Sequence, residues 1–286
     1  MHNRLVVGLD GSENSMSALR WAAAEAQSRG ASVRVVGSYS MPPLMDVYGM
    51  GWSAMAAPET AQLRDDTMQT LSGAVGQLLQ RHPRVGFDFV AVEGPAAKIL
   101  ANQAGVADLL VVGSSGAGAV TSFLLGSVTG AVLHSSPCPV VVVPSGPRGA
   151  TGGIVVGCYG SESSDRAVMW AADQAQRCGL DLGVLHAWEH PYRITQRGAD
   201  RGADIAQVDG ATIVERAVDL ARARSGRVVS PMLVEHSAVD ELLGASEKAA
   251  LVVVGSRGRS GFRSMVLGSV TLAVTARASC PVVVVR

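Results

Sequence analysis

The sequence has little of what marks several large classes of protein. Only 4% of its 286 residues are aromatic, and its only lysines are Lys98 and Lys248. Lysine plus arginine equals aspartate plus glutamate at 24 each, so the formal net charge is zero. Nucleic acids and anionic membranes are held through many Lys/Arg contacts to phosphate, so neither is an expected partner of a balanced chain. Although 48% of the residues are hydrophobic, no apolar run approaches the ~18 residues of a membrane span. The opening apolar run, Leu5-Val6-Val7, breaks off at Gly8-Leu9-Asp10 and does not read as a secretory leader. Four cysteines, Cys138, Cys158, Cys178 and Cys280, are too few for a disulfide scaffold at this length and point to reduced thiols in a cytosol. Cys138 and Cys280 open matching apolar runs and read as small core residues.

Several catalytic motifs are missing too. A Walker loop needs Lys followed by Ser or Thr, but Lys98 precedes Ile99 and Lys248 precedes Ala249. The G-x-G-x-x-G turn of dinucleotide-binding oxidoreductases does not follow the first apolar run, which continues Gly8-Leu9-Asp10-Gly11. Nor does the G-x-S-x-G elbow of α/β-hydrolases occur. His186 and His190 stand four apart but straddle a predicted strand end before Pro191, which argues against a metal pair.

What is present is a repeat. Gly113-x2-Gly116-x9-Gly126-Ser127 recurs as Gly255-x2-Gly258-x9-Gly268-Ser269, each copy behind an apolar run. Leu5-Val6-Val7-Gly8 returns as Ile154-Val155-Val156-Gly157, and Ala18 to Gly30 returns as Ala167 to Gly179 with Trp21 matched by Trp170, at an offset of 149. The closing Cys138-Pro139-Val140-Val141-Val142-Val143 returns as Cys280-Pro281-Val282-Val283-Val284-Val285 at an offset of 142, so the first copy carries seven more residues in its middle. Units of about 140 residues have the size of ordinary domains. The expected division is 1–146 and 152–286, joined by the breaker-rich stretch Pro144 to Gly153.

Within the first unit, strands are expected near 4–9, 32–38, 85–92, 108–113 and 139–143, and helices near 14–29, 59–81, 95–105 and 127–135. Strands that are apolar throughout, alternating with helices, predict an α/β fold: two doubly wound, Rossmann-like, five-stranded parallel sheets in tandem. Trp21 and Trp170 lie on the apolar stripe of matching helices and are expected in the core. The stretch from Met41 to Met55, with Met45, Tyr48, Met50 and Trp52, reads as a lid, a partner surface or a loop. In a doubly wound sheet ligands sit beyond the carboxyl ends of the strands where the order reverses. With strand order 3-2-1-4-5, Asp10 faces the loop that begins at Gly113.

Val7-Gly8-Leu9-Asp10-Gly11-Ser12, the repeated glycine pattern and the closing Cys-Pro-Val-Val-Val-Val together resemble the universal stress protein family in its tandem, ATP-binding form. The resemblance covers nearly the whole chain twice. It implies adenine nucleotide binding without a strong catalytic apparatus, a cytoplasmic role in stress or dormancy, an unidentified protein partner, association of the domains through their last strands, and a homodimer of tandem chains. By that resemblance Asp10 holds the adenosine part, Gly113 and Gly116 approach the ribose and phosphates, Gly126 and Ser127 contact phosphates, and Ser38 is an adenine-side candidate. Gly255, Gly258, Gly268 and Ser269 are their counterparts in the second unit. Phosphate oxygens and water would carry a divalent ion, Mg²⁺ or Mn²⁺. An adenine-nucleotide hydrolase or ATP-pyrophosphatase and a nucleotide-free interaction module are the alternatives. The first needs a Ser-Gly-Gly-x-Asp-Ser type loop that Leu9-Asp10-Gly11-Ser12 does not match.

The two copies differ where the resemblance matters. Tyr159 replaces Asp10, His236 replaces Gly94, and the second loop carries Arg257, Arg259 and Arg263 where the first has no arginine. The first site is thus expected to suit adenosine and the second phosphate, with Tyr159 available to stack on adenine instead.

Overall fold

The structure is a computed structural model, and it describes residues 3–40, 56–116, 125–145, 152–188, 196–257 and 267–286. Two compact units divide the chain, Met1–Gly146 and Pro147–Arg286.

In the first unit the elements run β1 (Arg4–Gly8), α1 (Glu13–Arg29), β2 (Ser32–Tyr39), α2 (Ala56–Leu79), β3 (Phe87–Glu93), α3 (Ala96–Ala104), β4 (Leu109–Gly113), α4 (Ser127–Ser135) and β5 (Val140–Val143). All strands are parallel, in the order β3-β2-β1-β4-β5. Leu5 of β1 lies beside Val33 on one flank and Leu109 on the other, and all three are completely buried. Burial on both faces explains why β1, β4 and β5 are unbroken apolar runs rather than alternating ones. Each such side chain contributes about 1.5–3 kcal/mol of burial.

The second unit repeats the plan with β6 (Ile154–Gly157), α5 (Glu162–Cys178), β7 (Leu182–Trp188), α6 (Gln196–Arg222), β8 (Val229–Glu235), α7 (Ala238–Ser246), β9 (Leu251–Gly255), α8 (Ser269–Arg277) and β10 (Val282–Val285). Its parallel order is β8-β7-β6-β9-β10.

Local chemistry fixes the helix ends. The Ser12 side chain accepts the Ser15 N–H at the start of α1, and Gly30 closes that helix in the left-handed conformation. Ser161 and Ser164 form a reciprocal capping box on α5, and Gly179 ends it as Gly30 ends α1. The matching tryptophans depart from the sequence expectation: Trp21 and Trp170 are half-buried, while the alanines beside them, Ala22, Ala23, Ala171 and Ala172, are fully enclosed. The helices approach the sheet on their alanine face, and the indole rings remain partly exposed. Cys138, Cys158 and Cys280 are buried and Cys178 is exposed at the end of α5. Burial pushes the Cys158 and Cys280 thiols up to about 12, and the Cys138 thiol also up. Among the described residues no helix is long and apolar enough to cross a membrane.

Candidate functional site

The strand order reverses between β1 and β4, and the residues that follow those two strands meet there. Asp10 lies two residues past β1. Its Oδ1 accepts the Ser12 N–H at 3.0 Å and the Ser12 hydroxyl at 2.6 Å, while its own N–H donates to Ser15 Oγ at 3.3 Å. The turn between them needs Gly11, whose φ is +81°. The carboxylate is thereby locked onto the start of α1 with its other oxygen turned to the loop after β4. A Cβ built on Gly116 would lie 2.7 Å from Asp10 Oδ2. Any side chain at Gly116 would stand where that carboxylate faces the loop.

Gly113 is set by a different approach. A Cβ there would come within 2.8–2.9 Å of the Asn14 carbonyl carbon, oxygen and Cβ, so the first turn of α1 packs directly on the end of β4. Asn14 Nδ2 ties the two together by donating to the Ser115 carbonyl at 3.1 Å and to the Ser115 hydroxyl. From the other side, the Thr129 hydroxyl donates to the Gly113 carbonyl at 2.7 Å, and the Gly126 N–H donates to the Ser114 carbonyl at 2.8 Å. Gly126 is the N-cap of α4 and supplies no side-chain acceptor. The first turn of that helix therefore has no side-chain cap from Gly126, an arrangement suited to an anion.

A cavity of about 630 Å³ opens here, lined by Asp10, Gly11, Ser12, Glu13, Asn14, Thr70 and Gly116. Glu13 is paired with Arg20 at 2.8 Å, and that guanidinium holds its carboxyl below the usual range. Of the residues expected at a nucleotide site, Asp10, Gly113, Gly116 and Gly126 are brought together. Ser127 is the exposed first residue of α4, and Ser38 is exposed near the end of β2; neither lines this cavity. Asn14, Thr70 and Thr129 are additions. Thr129 was open to detection, since Ser127-Val128-Thr129 recurs as Ser269-Val270-Thr271. Asn14 was not, because its counterpart is Ser163.

The same scaffold stands in the second unit. A Cβ on Gly255 would meet Ser163 Oγ at 2.6 Å and its backbone at 2.9 Å, Thr271 donates to the Gly255 carbonyl at 2.8 Å, and the Gly268 N–H donates to the Ser256 carbonyl at 2.9 Å. Gly268 caps α8, again without a side-chain acceptor, and Ser269 is the exposed first residue of that helix. The Arg257 N–H donates to Ser163 Oγ and its carbonyl accepts from Ser161 Oγ, both at 3.3 Å. Gly258, Arg259 and Arg263 lie outside the described residues, as do His190 and the stretch from Met41 to Met55.

The strand ends differ. Tyr159 is 42% exposed, and its ring lies 5.6 Å from that of the buried His186, tilted by 41°. His186 Nδ1 is 2.8 Å from the Cys158 carbonyl. A cavity of about 380 Å³ beside this pair is lined by Tyr159, Gly160, Asp165, Asp209, Thr212, Ile213, Arg216 and Ala217, with Arg216 ion-paired to Asp165. His236 pairs instead with Glu241 at 3.3 Å.

Two doubly wound units, each with a glycine-shaped crevice at the point where strand order reverses, define a tandem α/β protein built on one repeated site. Residues 1–144 and again 152–286 match the universal stress protein family. A universal stress protein of Mycobacterium tuberculosis is 34% identical over 313 aligned positions, spanning 99% of this chain and 94% of the relative. Another from Mycobacterium bovis is 32% identical over 292 positions, spanning 99% and 96%. A crystal structure of a universal stress protein from Archaeoglobus fulgidus superimposes with a TM-score of 0.65 over 100% of this chain and 99% of its own, at 20% identity, which is a likeness of fold. The chain belongs to the universal stress protein family.

Proposed function

We propose that the first unit binds an adenine nucleotide, ATP with Mg²⁺ or Mn²⁺, and that the protein acts as a nucleotide-dependent regulator rather than as an enzyme. One observation carries this reading: Asp10 Oδ2 and the Gly116 backbone face each other closely enough that no side chain fits between them while the carboxylate keeps its place, beside a helix α4 whose start has no side-chain cap. A carboxylate offers about four lone-pair positions, so Asp10 can serve its turn and still accept from ribose hydroxyls or an adenine amino group. Backbone N–H groups and the positive end of α4 suit phosphate oxygens. Among the described residues no three carboxylate, imidazole or thiolate groups gather to hold a metal. A divalent ion would therefore arrive on phosphate oxygens and water.

The regulatory reading follows from how the crevice side chains are employed. Ser12 caps α1, Glu13 is tied to Arg20, and Asn14 clamps the loop. These roles orient and hold, which supports binding with at most slow hydrolysis. We place the protein in the cytoplasm, as a dimer of tandem chains whose nucleotide state is read by a protein partner. The test is mass spectrometry of small molecules released from the natively purified protein. An adenine nucleotide is expected from the wild type and not from Asp10→Ala; its absence from both would refute the reading.

A further inference from the structure

The second crevice is more than a copy with one residue changed. Gly11 packs on Thr70, with a hypothetical Cβ 3.3 Å from its Cγ2, and Gly160 packs on Ile213, with a hypothetical Cβ 3.2 Å from its Cγ1, so Ile213 holds the place of Thr70. Three residues earlier on the same helices, Thr67 sits over Gly37, where a Cβ would be only 2.7 Å from its Cγ2. The second unit reverses that pair. His186 stands on the strand in place of Gly37, and Gly210 stands on the helix in place of Thr67, where a Cβ would be 3.1 Å from the His186 ring. A large residue on the strand requires a small one on the helix, and both changes are present together. The room made over β7 holds the imidazole against which Tyr159 packs.

Four linked positions thus change in one direction: carboxylate to phenol, glycine to imidazole, threonine to glycine, threonine to isoleucine. The outcome is a ring pair beside Ile213 where the first unit has a carboxylate and a hydroxyl. The carboxylates that line the cavity there, Asp165 and Asp209, stand instead on the helices α5 and α6, with Asp165 ion-paired to Arg216. The glycines and threonine that shape the phosphate side, Gly255, Gly268 and Thr271, are untouched. Tyr159 presents no ionised acceptor, and a ribose hydroxyl buried against it loses the strong, charge-assisted partner that Asp10 supplies in the first unit.

Building on the proposed nucleotide site, we infer that each chain holds one adenine nucleotide, in the first unit, and that the Tyr159–His186 pair with Gly210 is what bars adenosine from the second. The experiment is calorimetric titration of the intact chain with MgATP, together with Gly116→Val and a chain carrying Tyr159→Asp, His186→Gly and Gly210→Thr. The wild type should saturate at one nucleotide per chain and Gly116→Val should abolish binding. The threefold variant, with folding checked by its melting transition, should take up a second. Saturation at two in the wild type, with one retained in Gly116→Val, would overturn the inference while leaving nucleotide binding in place. A folded threefold variant that stops at one would overturn the part assigned to the ring pair. No binding by the wild type would refute the nucleotide reading itself.

Discussion

Gly113 and Gly116 are both glycine for want of space, but different neighbours set the cost of replacing them. A Cβ at Gly113 meets the Asn14 backbone, which cannot step aside without moving α1. Gly113→Ala should therefore destabilise the fold by about 1–3 kcal/mol, the usual range for overpacking, read as a lowered urea midpoint. At Gly116 the obstacle is Asp10 Oδ2, the end of a side chain that can give way by breaking its hydrogen bonds to Ser12 without moving the backbone. Gly116→Ala should lower the urea midpoint less than Gly113→Ala and weaken nucleotide binding; equal stability losses at the two positions would show that space alone does not distinguish them. The thiols give a second test at this scale. Cys158 and Cys280 hold their protons to about 12 when folded, against an ordinary 9.0. Between those values the unfolded chain binds fewer protons than the folded one, so stability should fall as pH rises from about 9 toward 12. Urea midpoints at successive pH values should show this loss, and it should shrink in Cys280→Ala. Of the residues at the site, the glycines were legible in the sequence because the repeat displays them twice, and Asp10 because it stands in the Val7-Gly8-Leu9-Asp10-Gly11-Ser12 run behind the first strand, although its counterpart is Tyr159. Thr70 was not, since nothing local shows that a residue in the middle of α2 returns to the turn after β1.

At the scale of elements, caps and paired contacts decide what can change. The Ser161–Ser164 capping box closes the start of α5, and Ser161→Ala should cost about 1 kcal/mol, measured by chemical denaturation. The reversed pairs give a sharper test. Gly37→His alone should clash with Thr67 and destabilise the first unit, and adding Thr67→Gly should recover most of the loss. Simple additivity in that double-mutant cycle would mean the two positions do not share one space. The helices and strands themselves were largely readable. Apolar runs and breakers placed every element of the first unit to within three residues of its observed ends, and the strand order matched the doubly wound expectation. Trp21 and Trp170 are less buried than their stripe predicts because periodicity identifies the inward face of a helix without showing how completely each residue on it is enclosed. The exchange of Gly37 and Thr67 for His186 and Gly210 stayed hidden because each half of it is meaningless until strand and helix are brought together.

For the whole molecule, the repeat makes two units from one plan and lets one diverge. Both retain the loop, the threonine clamp on the last residue before it, and a helix start capped by glycine. Only the first retains the carboxylate. The proposed dimer of tandem chains predicts about twice the 29.5 kDa chain mass in light scattering, and a monomer at all concentrations would remove the dimer from the proposal. The central claim is that Asp10 and the glycine loop facing it form a nucleotide site. Its most direct test is the affinity for MgATP of the wild type beside Asp10→Ala, measured by equilibrium titration at equal salt. Loss of a charge-assisted acceptor of about 1.5–3 kcal/mol predicts roughly a 10- to 150-fold weaker site in the variant. Equal affinity in the two proteins would contradict it.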